Sequence, residues 1–458
     1  MHLKGERPQM SGQLELPFGN RGEAPKGKRS EELPLAAHGL ERSGRGELME
    51  RVVERSNLLA ALKRVKSNKG SPGIDGMTVG ELSAHLKEHW VSIREQLLVG
   101  TYQPQQVKQQ LIPKSGGGMR ELGIPTVLDR FIQQALLQVL QADLDRSFSK
   151  HSYGFRPGKS AHQAVRAAQG YIQEGRRWVV DVDLERFFDR VNHDVLMGRL
   201  AKRIGDRRVL ITIRRYLEAG VMGHGGVVVE RYEGTPQGGP LSPLLANVLL
   251  DEVDKELERH GHVFIRYADD CNVYVRSRRA GERVMRLLRK LFTGLRLRVN
   301  EAKSAVEHVT RRKVLGYSFW YATGGVVKCR VAPKALSVMK DRVRKITQRS
   351  GGRSIPHVVG ELREYLIGWR IYFQLAETPR IFRELDEWIR HRLRALHLKQ
   401  WKRGTTIYRE LRSRGMSDHA AAQVAANGRR WWKNSDKMIH LALPIQYFDQ
   451  LQLPRLAV

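Results

Sequence analysis

The chain has 458 residues, too long for one hydrophobic core, and with 41% hydrophobic residues it can build roughly two to four domains. Its 80 Lys and Arg against 48 Asp and Glu leave a net charge of +32, which favours a polyanionic partner such as nucleic acid. Only Cys271 and Cys329 occur, which excludes a disulfide framework and a Cys-rich zinc module; no apolar run reaches the roughly 18 residues of a membrane span, and the polar start MHLKGERPQMSGQLELPFGN lacks a signal-peptide core.

Residues 1 to about 50 are rich in Gly, Pro and charge without periodicity, and read as a disordered tail. Helical spacing of Leu58, Leu59, Leu62 and Val65 predicts a first helix starting near Ser56 as N-cap and ending before Gly70. A second helix is expected over about 79–98. Val107–Ile112 and Met119–Ile124 flank a Gly-rich turn and predict a β-hairpin carrying Lys114 and Arg120. Helices follow over 126–148 and 160–174, a strand over 177–183, then helices over about 192–203 and 207–219. In EGTPQGGPLSPLLANVLLDEVDKEL a Gly/Pro loop leads to Ser242 as N-cap and Pro243 at the first helical position. A hairpin at FIRYADDCNVYV, a helix over 282–292 and strands ending in VLGYSFWY come next. Beyond Ala332 the pattern becomes helical, basic and Trp-rich.

The carboxylates are the conspicuous feature of so basic a chain. Asp269 and Asp270 sit side by side in the turn of the FIRYADDCNVYV hairpin, a costly arrangement unless the pair is solvated or neutralised by a cation. In WVVDVDLERFFD, Asp181 and Asp183 alternate with valines and share one face of a strand. A third carboxylate meeting the hairpin pair would suit hard Mg²⁺ ions and a triphosphate better than zinc. Two such ions about 4 Å apart are the arrangement that drives in-line phosphoryl displacement. Spacing alone leaves Asp181 and Asp183 as equal candidates.

Seven segments in order, KGSPGIDG, IPKSGGGMRELGIP, SYGFRPGKS, VDVDLERFFDRVNH, GTPQGGPLSPLLANVLLDEVD, RYADD and KVLGYSF, resemble successive motifs of bacterial group II intron reverse transcriptase/maturase proteins. The resemblance runs from about Asn57 to the C-terminus. It implies an α+β right-hand polymerase, with fingers and a palm built on antiparallel sheet over 51–325. A helical thumb and maturase region would cover 326–404, and a short DNA-binding-type segment 405–458. A C-terminal nuclease module with paired cysteines is missing from the pattern, so a compact endonuclease-lacking member, of the class C type, is expected.

The family pattern selects Asp183 with Asp269 and Asp270 as metal-binding catalytic acids, adds the backbone carbonyl of Leu184, and implies two Mg²⁺ ions, with Mn²⁺ as a substitute. Asp181 becomes a supporting or structural residue. Lys114 and Arg120 are implied over the triphosphate of a dNTP, Phe188 beneath its sugar and Gln237 against the nucleotide. Lys303 is implied as the acid that protonates pyrophosphate, although Ser304 stands where Thr is usual. Arg156 is a candidate template or nucleotide contact, its ordinary reading being a loop-holding arginine.

In the basic helix over IFRELDEWIRHRLRALHLKQWKRG, Leu385, Ile389, Leu393 and Leu396 form the apolar stripe. Arg390, Arg394, Lys399 and Lys402 project elsewhere as expected nucleic-acid contacts. The implied partners are intron RNA, a DNA target or primer and dNTPs, in the bacterial cytoplasm or at its nucleoid, without a membrane. The alternatives are a splicing cofactor acting mainly by RNA binding, and a domesticated enzyme of defence or repair.

Overall fold

The computed structural model describes residues 47–113, 118–223, 226–349, 351–427, 430–436 and 438–457. The expected tail lies outside these residues up to 46, and its end is corrected: α1 (Leu48–Val52) already forms there, with Met49 and Val52 buried. The Met49 amide donates to the Asp206 carboxylate at 3.0 Å, a contact 157 positions away that no local pattern announces. Helix α2 (Arg55–Asn68) is capped at Glu54 rather than Ser56, whose hydroxyl donates to the Glu54 carboxylate at 2.8 Å. Lys69, at φ 47°, ends it one residue before Gly70.

Helix α3 (Leu82–Val99) precedes the hairpin of β1 (Val107–Pro113) and β2 (Met119–Ile124), paired antiparallel with Ile112 opposite Arg120. Helix α4 (Val127–Leu144) starts where Thr126 Oγ1 accepts from the Asp129 amide, and gives way to a 3₁₀ turn before reaching Phe148. Helix α5 (Ala161–Gln173) opens with a reciprocal Ser160–Gln163 capping box. Then come β3 (Trp178–Val182), α6 (His193–Ala201) and α7 (Arg207–Glu218). Two short strands the sequence did not announce, β4 (Val221–Met222) and β5 (Val228–Val229), follow.

Helix α8 (Ser242–Arg259) has Leu241 as its cap and Ser242 inside the first turn, one residue from the expected boundary. The Ser242 hydroxyl is engaged with the preceding loop instead, accepting from Thr235 at 2.7 Å and donating to the Pro236 carbonyl at 2.8 Å. The chain continues through β6 (Val263–Tyr267), β7 (Asp270–Val275), α9 (Arg278–Gly294), β8 (Ala305–His308), β9 (Lys313–Val314), β10 (Tyr317–Tyr321) and β11 (Val327–Val331). Strand β11 was not expected, yet its burial alternates with period 2, Val327, Cys329 and Val331 pointing inward. The helical remainder is α10 (Pro333–Ile346), α11 (Ile355–Tyr372), α12 (Pro379–Trp401), α13 (Gly404–Arg412), α14 (Asp418–Ala426), α15 (Trp431–Asp436) and α16 (Ile445–Gln450). Among the described residues no helix is long and apolar enough to cross a membrane.

The chain interleaves two compact units. One takes the described residues up to Pro157 with Asp183–His260 and Leu287–Ala302. It holds the mixed sheet β2-β1-β4-β5, and its α8 is buried along most of its length. The other takes Gly158–Val182, Gly261–Arg286 and the chain from Lys303. It holds the antiparallel sheet β6-β7-β3-β8, the sheet β11-β10-β9 and the C-terminal helices, with α5 packed on β6 and β11.

The C-terminal segment is tied down by polar contacts to long helices. Buried Asp386 of α12 accepts from the amides of Leu456 at 2.9 Å and Ala457 at 3.0 Å, and Arg363 of α11 donates to the Gln452 carbonyl at 2.9 Å. His397 of α12 lies beneath the same segment, 3.2 Å from the Tyr447 hydroxyl. Burial first, and the Arg414 charge second, lower its pKa from 6.5 to about 4. The folded protein therefore keeps His397 neutral where the unfolded chain binds a proton. Its contribution is complete above pH 6.5 and is lost as pH falls towards about 4, with a slope of up to about 1.4 kcal/mol per pH unit. His397→Gln should accordingly show a smaller fall in melting temperature between about pH 7 and about pH 4.5 than the parent chain, as read by thermal denaturation.

Candidate functional site

The acidic hairpin belongs to the antiparallel sheet. Tyr267 pairs with Asp270, which leaves Ala268 and Asp269 as a two-residue loop and makes Asp270 the first residue of β7. Ala268 has φ 59°, a left-handed conformation at the first central position, where such turns usually place glycine. Arg266 of β6, with 1% of its surface exposed, donates from Nη1 to the Ala268 carbonyl at 3.0 Å. A guanidinium is thus built into the core beneath the acidic turn.

Strand β3 lies antiparallel on the other side of β7, with Asp181 opposite Asn272 and Val182 opposite Cys271. Side chains alternate, so Cys271 shares its face with Val182 and Arg266, whereas Asn272 and Asp270 share the face of Asp181. Asp183 is the next residue of the chain, one step beyond the last β3 pair. Asp181 is engaged laterally, its Oδ2 3.6 Å from Nε of Arg312.

In the other unit, Asp183 starts a short extended stretch whose carbonyl accepts from the Asn300 amide at 2.8 Å, while the Glu185 amide donates to the Arg298 carbonyl at 2.9 Å. These bonds flank the Leu184–Val299 bridge. In an extended strand the intervening Leu184 carbonyl is directed away from Val299. A 3₁₀ turn over Phe187–Arg190 follows. Phe187 is the core residue; Phe188 is only half-buried, its ring 5.1 Å from Phe187 in an edge-on contact.

The TPQGG loop is bonded to this turn and to the β1–β2 hairpin. The Thr235 amide donates to the Phe188 carbonyl at 2.7 Å, Gln237 Nε2 donates to Asp189 Oδ1 at 3.1 Å, and the Gly123 amide donates to the Gln237 carbonyl at 2.9 Å. Gly238, at φ 136°, passes so close to β2 that a Cβ would stand 2.6 Å from the Gly123 carbonyl oxygen. Phe188, Gln237 and the strand that carries Arg120 are thereby brought together. The Arg120 side chain and all of Lys114 lie outside the described residues.

The remaining candidates divide. Lys303 is exposed in the turn before β8, and its carbonyl accepts from Arg312 Nη2 at 3.0 Å. Arg156 has 7% of its side chain exposed and faces inward: it donates to Asp145 Oδ1 at 2.8 Å and to the carbonyls of Ser152 at 3.0 Å and Asp145 at 2.9 Å. The loop-holding alternative is the one realised in its hydrogen bonds. Arg394 also points inward, donating to the Leu443 carbonyl at 3.0 Å with its guanidinium 5.6 Å from the Phe448 ring. Lys399 stands 4.1 Å from the Trp431 ring, Arg390 lines a groove of about 740 Å³, and Lys402 is exposed at the helix end. The expected outer basic face of α12 is therefore partly an interface with the chain's own C-terminal segment.

Sequence reasoning missed a neighbouring basic cluster. Arg344 and Arg392 flank Trp388 at 5.6 and 5.4 Å, and Arg349 joins Lys399 at Trp431 at 5.7 Å. The four-residue spacing of Trp388 and Arg392 on one helix was legible. The approach of α10 was not.

Among the described residues no group of three or more His, Cys, Asp or Glu stands as a ready metal-ligand set. The donors on the acidic hairpin and at Asp183 are nevertheless carboxylate oxygens, the ligand type that hard divalent cations take. The family description "Reverse transcriptase (RNA-dependent DNA polymerase)" matches residues 112–319, and "Group II intron, maturase-specific domain" matches residues 336–415. The chain is 33% identical over 301 residues to protein YkfC of Escherichia coli (strain K12), covering 57% of this chain and 79% of that one. It belongs to the family of bacterial group II intron reverse transcriptases and maturases.

Its reverse transcriptase domain is that of an RNA-directed DNA polymerase, a family that acts with divalent metal ions, and it contains every acid, nucleotide and Lys303 position described above. The maturase-specific domain contains the Trp388 cluster. The group II intron-encoded protein LtrA of Lactococcus lactis subsp. cremoris is 37% identical over 196 residues, 43% of this chain but 32% of LtrA. A solved Cas6-RT-Cas1–Cas2 complex contains a chain 27% identical to this one, with a TM-score of 0.36 over 58% of this chain and 46% of that chain.

The inward geometry of Arg156 has a measurable consequence. Arg156→Ala removes the partner of a mostly buried carboxylate and should cost about 3 kcal/mol of stability, while template affinity of the folded fraction changes less than two-fold or so. Denaturant unfolding together with RNA-template titration checks both.

Proposed function

We propose that this protein copies its group II intron RNA into DNA during intron mobility and assists splicing of that RNA. The observation that carries the polymerase reading is the strand register: β7 begins at Asp270 and pairs with β3, whose next residue is Asp183. Asp183, Asp269 and Asp270, with the Leu184 carbonyl, would hold two Mg²⁺ ions, or Mn²⁺ in their place. Magnesium is commonly held by one or two carboxylates and the substrate's phosphates together, which suits these carboxylates. Bound there, the ions would acidify the primer hydroxyl and offset charge on the leaving pyrophosphate.

The chain's own residues supply position and selectivity. Lys114 and Arg120 hold the triphosphate of the incoming dNTP, the lysine as a mobile charge and the arginine as a planar donor fork. Half-buried Phe188 presents its ring beneath the sugar, where a 2′-hydroxyl collides with it, and Gln237 packs against the nucleotide. Lys303 gives a proton to pyrophosphate as it leaves. Residues 51–325 act as fingers and palm, 326–404 as thumb and maturase region, and 405–458 as a segment that meets the DNA target or primer. The setting is the bacterial cytoplasm, at the nucleoid when DNA is the target.

The splicing role rests on the cluster of Arg344, Arg349, Arg392 and Lys399 around two tryptophans. Burial, followed by the charges of Arg349 and Arg344, disfavours the charged form of Arg392, a crowding that an RNA phosphate would relieve.

Asp269→Ala should abolish primer extension on an RNA template with dNTPs and Mg²⁺, a loss of at least about 1,000-fold; undiminished synthesis would sink the polymerase site. The same variant should stimulate intron splicing normally. Arg344→Gln and Arg349→Gln should each weaken intron RNA binding and lower the slope of log affinity against log salt by about 1, with primer extension on a short template preserved. Unchanged salt slopes would remove this cluster from the RNA interface.

A further inference from the structure

The reading of Lys303 as an acid leaves open what aims it. Its side chain is exposed in the turn 301–303, just before β8. Arg312 follows β8 and the 3₁₀ turn Val309–Arg311, so the chain has doubled back when the guanidinium reaches the Lys303 carbonyl from Nη2 at 3.0 Å. The same guanidinium presents Nε to Asp181 Oδ2 at 3.6 Å. Asp181 lies within β3, opposite Ala305 of β8 on one side and Asn272 of β7 on the other, two residues before Asp183.

We infer that Arg312, anchored by Asp181, is a positioning residue that fixes the backbone of Lys303 relative to the catalytic strand. This rests on the reading of Lys303 as the pyrophosphate acid. In that step the bond from the primer 3′-oxygen to the α-phosphorus forms as the bond from phosphorus to the pyrophosphate oxygen breaks. The electron pair leaves on that oxygen, the 3′-hydroxyl proton passes to water, and Lys303 gives its own proton to the leaving group.

A proton donor acts only while it is in line with its acceptor, and tethering the carbonyl of the same residue limits how far its backbone can move out of that line. Arginine suits the task because one planar fork addresses a carbonyl and a carboxylate at once, which a lysine ammonium does only as a point charge. Asp181, in turn, holds the fork by charge at a half-buried position, 23% exposed beside a partner 26% exposed. The assignment also gives a specific task to the carboxylate that alternation placed on the Asp183 face and that the family pattern left as a supporting or structural residue.

The test is single-turnover incorporation of one dNTP on an RNA template with a DNA primer, using the full chain and resolving the rate constant from the dNTP dissociation constant. Lys303→Ala is expected to slow incorporation about 100-fold, and Arg312→Gln about 10-fold, with dNTP affinity within roughly two-fold. Arg312→Lys, keeping the charge without the fork, should fall between Arg312→Gln and the parent, and Asp181→Asn should match it. The deciding variant is the double substitution Lys303→Ala/Arg312→Gln, expected to be no slower than Lys303→Ala alone because Arg312 acts through Lys303.

A further 10-fold or so loss in the double variant would make Arg312 a general structural tie and overturn the inference while leaving the acid in place. Parental rates in Lys303→Ala would instead overturn the acid reading beneath it. Should Arg312→Gln fail to fold, Asp181→Asn in the parent and Lys303→Ala backgrounds separates the same outcomes.

Discussion

The register of β7 between β6 and β3 is the constraint on which the acidic site depends. With Tyr267 opposite Asp270 and Val182 opposite Cys271, a slip of one residue would turn every β7 side chain to the other face. Asp270 would then share its face with Arg266 and Val182, and Cys271 would take the face of Asp181. Packing enforces the observed choice. Phe264, Val273 and Cys271 are buried, and a carboxylate in their place would lose its hydration. Cys271 thus has a reason to stand immediately after the acids that owes nothing to reactivity: it is the first side chain of β7 to enter the core.

Two neighbouring carboxylates in a chain of net charge +32 pose less of an electrostatic puzzle once their surroundings are specified. Arg266 is buried beneath the turn and holds the carbonyl of Ala268, so a fixed positive charge and a fixed backbone conformation come from the same side chain. Burying a guanidinium is expensive unless its donors are satisfied and its charge is answered. One of its donors goes to the Ala268 carbonyl. The wider excess of Lys and Arg is distributed elsewhere, much of it in the C-terminal helices, where the partner rather than the protein supplies negative charge.

Much of this was legible in sequence because the signals were short-range. The two hairpins, the capped start of α5 and the alternation of Asp181 with valines follow from local periodicity and turn chemistry. Errors arose where another residue overruled a local preference. Ser56 and Ser242 both look like helix caps, but Glu54 and the TPQGG loop engage their hydroxyls, and each helix begins earlier than its serine would place it. Strand β11 was hidden because VKCRV is too short and too basic to stand out until β10 pairs with it. Arg394 belongs to the polar side of an amphipathic pattern, and only the return of the chain at Leu443 shows that this side is covered. The triad itself was chosen by family pattern, since alternation treats Asp181 and Asp183 alike.

The TPQGG loop shows how the spacing of two elements can be tied to backbone rather than to any one side chain. One run of main-chain bonds links Gly123 of β2 to Gln237, and another links Thr235 to the carbonyl of Phe188. Gly234, at φ 88° with a Cβ position 2.9 Å from the Asp189 carbonyl oxygen, and Gly238 close against Gly123 permit both approaches. The hairpin that carries Arg120 and the turn that carries Phe188 are therefore spaced by a loop with almost no side-chain freedom. The spacing of β2 and the Phe187–Arg190 turn therefore rests on the same few backbone contacts.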